Sequence, residues 1–203
     1  MNYAQISQNA ALAVCRQDNA AVKPRAYLFN REDIAAVTVS DGVISAITLR
    51  IGAYAWLLEL ADKGLATGYS LKRGQYGNAG FLHNVAFKFT ERQQEHKDYI
   101  NTLKNSRIAL VVENYGKNAE TTFEAYGFDS AMTATAIDYN STNSDGLTGE
   151  FTAETREDAL ESGLPVSVFV TSVTATRAML EALLFVPGFY LDSSTLNSNA
   201  ILV

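Results

Sequence analysis

The sequence predicts an α+β domain, mainly antiparallel β, with one or two flanking helices and extended arms at both ends. Three observations lead there. Short runs rich in Val, Ile, Thr, Phe and Tyr recur along the 203 residues, some with period-two alternation. Asp-Gly pairs at 41–42 and 145–146 punctuate them as turns. Two stretches, 90–105 and 174–184, carry apolar residues at helical spacing.

Composition supports a folded chain. Hydrophobic residues are 47% and charged residues 19%, too apolar for disorder and too polar for a membrane bundle. A chain this long hides roughly 70% of its unfolded surface and needs no metal or disulfide staple. The single cysteine, Cys15, forms no internal disulfide, which fits a reducing compartment. The N-terminus lacks a basic start, and the apolar run at 10–14 breaks at residues 15–18, so no secretory leader is expected. No run reaches the ~20 apolar residues of a membrane helix. Folding in a cytoplasm without membrane insertion is the expectation.

Residues 1–24 read as an N-terminal arm, ending at Pro24. A short buried strand at 26–29 and a polar turn at 30–33 follow. Residues 37–39 and 43–49 flank Asp41-Gly42 as a hairpin. The apolar run 54–60 fits a strand or a short helix. Five glycines between 61 and 80 break any element interior, so this stretch reads as a long projecting hairpin or loop. Its partner is 81–90, where Val85, Phe87 and Phe89 alternate with polar or small neighbours. Thr90 can cap the first helix, whose face carries His96, Tyr99, Ile100 and Leu103. A β-meander is expected next, with a central strand at 108–113, then 121–128, 132–139 and 147–155. In the last, Phe151 and Ala153 face in, and Glu150 and Glu154 face out. Residues 156–163 read as acidic and exposed, and 166–170 as a final strand. The second helix presents Ala178, Leu180, Leu183 and Leu184 and stops at Pro187. Residues 25–186 thus form one β-rich domain, and 187–203 a C-terminal arm.

The net charge of −6 is unevenly spread: residues 1–105 carry 12 basic and 9 acidic side chains, the remainder 4 and 13. An acidic half is a poor grip for phosphates. It serves solubility, or it lines a passage along which nucleic acid slides without sticking.

No constellation of catalytic or metal-binding residues emerges. Gly74, Gly77 and Gly80 lack the Gly-Lys-Ser/Thr ending of a phosphate-binding loop. Asp138, Asn140 and Asp145 fail the EF-hand spacing, because the twelfth position is Gly149. His83 and His96 lie in different elements, and nothing around Cys15 suggests a nucleophile. Glu32-Asp33 and Glu157-Asp158 read as solvated turns. No cofactor and no enzyme activity are expected.

Several segments together resemble tail tube or major tail structural proteins of phages infecting Bacteroidetes. They are Arg25-Ala-Tyr-Leu-Phe-Asn-Arg-Glu-Asp-Ile34, Ile44-Ser-Ala-Ile-Thr-Leu49, Ile108-Ala-Leu-Val-Val-Glu-Asn-Tyr115, Thr122-Phe-Glu-Ala-Tyr-Gly-Phe-Asp129 and Asp145-Gly-Leu-Thr-Gly-Glu-Phe-Thr-Ala153. The resemblance implies a β-sandwich or barrel-like tail-tube fold whose subunits form hexameric rings. The rings would stack into a tube, with other tail proteins as partners and genomic DNA passing unbound. It implies a place in the virion tail, after assembly in the bacterial host. On this reading Glu124, Glu150 and Glu154 are candidates for lining the channel, with Glu124 on a strand next to the other two. Tyr69, Lys72, Arg73 and Tyr76 are candidates for contacts between subunits. The glycine-rich stretch 61–80 and the tail after Pro187 depart from the family pattern. A head–tail connector or other virion component is therefore a first alternative, and a small enzyme or ligand-binding β-domain a second.

Overall fold

The uninterrupted apolar run after the first helix becomes the axis of the fold. In the computed structural model, which describes residues 10–12, 22–60, 64–73, 79–89, 94–115, 119–139 and 149–185, it forms strand β8 (Ile108–Asn114). Its first six residues are all buried, as in a strand covered on both faces. β2 (Val22–Asn30) pairs antiparallel along one edge, with Tyr27 opposite Val111. β9 (Phe123–Tyr126) pairs along the other edge, flanked in turn by β12 (Val166–Ser167). β5 (Trp56–Leu60) continues the sheet beyond β2, and β1 (Ala10–Leu12) adds to β5 in parallel.

From β8 the strand path crosses a single bridge, Met132 to Ile108, into an outer arm. The arm runs β10 (Met132–Tyr139), β11 (Gly149–Thr155), β7 (Ala79–Phe89) and β6 (Leu65–Arg73). Among the described residues the path is open, with β1 and β6 at its ends, and does not close into a barrel.

Alternate residues of β2 and β8 feed two cores. Ala26, Leu28, Leu110 and Val112 join Val85, Phe87, Phe151 and Ala153 of the outer arm. Phe87 and Phe151 stack with centroids 5.5 Å apart. Helix α1 (Gln94–Leu103) inserts Tyr99, Ile100 and Leu103 into the same core. On the opposite face, Tyr27, Phe29, Ala109 and Val111 lie beneath the hairpin β3 (Ile34–Ser40) and β4 (Val43–Leu49) and beneath helix α2 (Val173–Glu181). Asp41 and Gly42 both adopt positive φ, 52° and 79°. That is the backbone of the two-residue turn whose twist matches paired strands. Ser172 caps α2 by accepting from the Ala175 N–H at 3.1 Å.

The structure corrects several expectations. The meander breaks after β9, which pairs with β8 and β12, while β10 meets β8 instead of β9; β11 then takes β7, from far earlier in the chain, as its second neighbour. Within the expected arm at 1–24, residues 10–12 form β1 and residues 22–24 belong to β2. The glycine-rich stretch does form a hairpin with the expected partner, β6 pairing with β7 from Leu65↔Phe87 to Arg73↔Ala79, but Gly68 lies within the strand and does not interrupt it. Glu161 is buried within the stretch expected to be exposed. Ala178 faces solvent, and α2 buries Thr176 and Leu180 instead. Glu32 and Asp33 are half-buried and partnered, Glu32 by Arg107 and Asp33 by the Asn30 amide. The C-terminal arm, 187–203, lies outside the described residues.

Candidate functional site

The outer arm has one face on the first core and one turned away from it. Phe151 and Ala153 point inward, so Glu150, Thr152 and Glu154 point outward. Register places Lys88 beside Glu150, Ala86 beside Thr152 and Asn84 beside Glu154 on β7. On β10, Asp138 stands opposite Glu150 and Thr133 opposite Glu154. β6 adds Ala66 and Gly68. A Cβ on Gly68 would come 2.5 Å from Asn84 Oδ1, so the Asn84 amide lies across β6 over Gly68. Small and polar side chains therefore tile the face. The same register continues the face through Leu82 of β7 and Ser70 and Lys72 of β6, so its three carboxylates meet two lysines, and the Lys88–Glu150 pair spans 3.7 Å. Both partners are well hydrated, so the pair contributes at most about 1 kcal/mol and leaves the face acidic.

β6 ends the strand path and has no strand on its far side among the described residues. Tyr69 and Leu71 are 55% and 68% exposed, two large apolar side chains in water among exposed Ser70, Lys72 and Arg73. Lys72 contacts Glu157 of its own chain at 3.5 Å, with both side chains exposed. Arg73 is exposed beside it. Tyr76 lies outside the described residues.

Glu124 does not join Glu150 and Glu154. It sits on β9, opposite Val112 and Ser167, and accepts a hydrogen bond from the Tyr126 hydroxyl at 3.0 Å. Burial raises the Tyr126 phenol well above its ordinary range, and the Glu124 charge adds to this. Thr67 of β6 also bonds to Tyr126, so this phenol ties the outer arm to β9.

Two polar clusters escaped the sequence reading. Glu113, at the end of the apolar run, is 2% exposed and accepts from Lys23 at 2.5 Å and Arg177 at 2.6 Å. Burial opposes its ionisation, yet the hydrogen bonds and charges of Lys23 and Arg177 prevail and hold it below the usual carboxylate range. An acidic residue closing a buried strand was the available signal, because such a charge requires partners. The second cluster surrounds buried His83, which bonds to Thr155, Gly127 and Gly163. No local pattern marks it, because its partners lie 44 to 80 residues away.

Among the described residues, no group of three or more His, Cys, Asp or Glu is placed to hold a metal ion. Cys15, Asn140 and Asp145 lie outside them. No helix among the described residues is long and apolar enough to cross a membrane. No family model, curated protein or solved structure matches this chain.

Proposed function

We propose that this chain is a virion structural subunit that assembles into rings, hexameric as in tail tubes, which stack into a conduit for DNA. The observation that carries the reading is the outer face of β10, β11, β7 and β6. It is a four-stranded surface mostly of small and polar side chains, with Asp138, Glu150 and Glu154 against Lys88 and, farther along β6, Lys72. An acidic wall repels phosphates at close approach, within a Debye length of about 8 Å. On this reading Glu150 and Glu154 face the channel and the two arms of the sheet form a sandwich. The free edge of β6, with Tyr69, Leu71, Lys72 and Arg73, meets a neighbouring subunit, which removes an edge otherwise open to aggregation. The chain then works by assembly rather than catalysis, in the virion tail, with itself and other tail proteins as partners.

Negative-stain microscopy of the concentrated protein tests this directly. Rings or tubes are expected, and Lys72→Glu with Arg73→Glu should abolish stacking while leaving the fold intact. Rings that never stack would move the subunit to the head–tail junction. A strictly monomeric species at all concentrations and salt strengths would overturn the reading. Glu150→Lys with Glu154→Lys should leave tubes intact but lower infectivity, and unchanged infectivity would put this face on the outside.

A further inference from the structure

Residues 156–165 cross the surface between β11 and β12, and the segment is held most densely around Glu161. The Glu161 backbone exchanges two hydrogen bonds with Phe81 of β7, both 2.9 Å. Its carboxylate accepts from the amides of Asp129 and Ser130 at 2.9 and 3.0 Å. Ser162 donates to the Asp129 carboxylate through its amide and its hydroxyl. The seat is close: a Cβ on Gly80 would lie 2.6 Å from Leu160 Cβ and 3.0 Å from the Glu161 carbonyl.

His83 completes the attachment. Its Nδ1 accepts from the Gly127 N–H at 3.3 Å, and its Nε2 lies 3.0 Å from the Gly163 carbonyl. A neutral imidazole has one donor and one acceptor. These partners place the proton on Nε2 and leave Nδ1 bare. A second proton would sit on Nδ1 and face the Gly127 N–H, donor against donor.

We propose that His83 is an acid-sensitive latch, whose protonation breaks the Gly127 contact and displaces the turn at 127–131, so that Glu161 and Ser162 lose the Asp129 and Ser130 groups that hold them, while the Nε2–H bond to the Gly163 carbonyl is kept. The proposal stands apart from the assembly reading. The groups around the ring come from every neighbouring element. Tyr126 of β9 meets it edge-on at 5.5 Å. The Thr155 hydroxyl of β11 accepts the His83 backbone N–H at 2.9 Å. Tyr69 of β6 is its register partner. Asp129 and Glu161 supply the nearby carboxylates, and Arg31 acts on Glu161.

Burial lowers the His83 pKa from 6.5, and the Gly163 carbonyl and the Asp129 charge only partly offset this. Its contribution to stability is therefore complete above pH 6.5 and is lost as pH falls from there through the folded value. Burial raises the Glu161 pKa from 4.5, against the pull of the Ser130 and Asp129 amides. That contribution has the opposite sign: it is complete below pH 4.5 and lost as pH rises through the folded value. Opening on acidification thus carries the sign of the histidine and not of the carboxylate.

Amide hydrogen exchange of the full chain at pH 7.5 and 5.5, corrected for intrinsic rates, tests the latch. Protection at 127–131 and at 159–162 should fall at the lower pH, by at most about tenfold, because a single imidazole of ordinary pKa 6.5 in the open form can supply no more between these two values. The β2–β8 amides should not change. In His83→Gln, which keeps an acceptor and a donor but cannot titrate, protection should be equal at both values. An unchanged wild-type loop, or the same fall in the variant, would overturn the proposal. Should the variant not fold, NMR titration of the wild-type imidazole decides. Titration well below 6.5 in step with the loop amides supports the latch, and titration at 6.5 or without them refutes it.

Discussion

β8 and β11 are both seven-residue strands of one sheet, yet β8 buries six consecutive side chains while β11 buries every second one. β8 lies between two cores, so both faces must be apolar. β11 lies over one core, and its other face is free to carry polar chemistry. The difference also decides how register is fixed. In β11 a slip of one residue would push Glu150 and Glu154 into the core and expose Phe151. In β8 the same slip exchanges one aliphatic residue for another. What it would lose is the seat of Glu113 between Lys23 and Arg177, so a polar residue sets the register of the apolar strand.

Truncation at the two strands should give the widest contrast. Leu110→Ala removes a side chain with no solvent exposure at the centre of β8 and should cost about 3–5 kcal/mol. Urea denaturation will measure it, and a loss below about 1 kcal/mol would mean that the first core closes over the gap.

Glu113→Ala should cost less, about 2 kcal/mol. The usual penalty for breaking a buried pair is reduced here because Lys23 and Arg177 are each about one-third exposed. This variant also sharpens the register argument through pH. Because the Glu113 pKa is depressed, its contribution is present above 4.5 and lost as pH falls through the folded value. Wild-type and variant stabilities should therefore converge in acid.

The smallest effect belongs to the outer face. Thr152→Ala, between Ala86 and Ala136 on neighbouring strands, should change stability by no more than about 0.5 kcal/mol. A larger loss in the isolated subunit would show that this face is packed rather than free.

The same contrast explains what could be read from the sequence. The β3–β4 turn was legible because Asp41 and Gly42 carry their own backbone requirement. β11 was legible through its alternation, and β8 through its length and uniform apolarity. The pairing of β11 with β7 was not, since period two states which face is buried but not which strand lies alongside. The placement of Glu124 failed for that reason: it was assigned beside β11 and belongs beside β8. Glu161 failed because its local surroundings are acidic and turn-like, whereas its partners, Phe81, Asp129 and Ser130, come from other parts of the chain. Of the candidate surface, the outward positions of Glu150 and Glu154 were readable. Lys88 and Asp138 as their neighbours were not, since only strand order brings them there.

The pairing of β2 with β8 also has a consequence for synthesis. Tyr27 finds Leu57 of β5 after 30 residues, but Val111 of β8 only after 84. At about 5–20 residues per second, the second wait is about 4–17 s on the ribosome. Throughout it, one edge of a strand whose residues 26–29 are fully buried in the native protein remains an open template for any passing chain. Slower elongation lengthens that exposure, so the soluble yield of this protein depends on translation speed as well as on final stability.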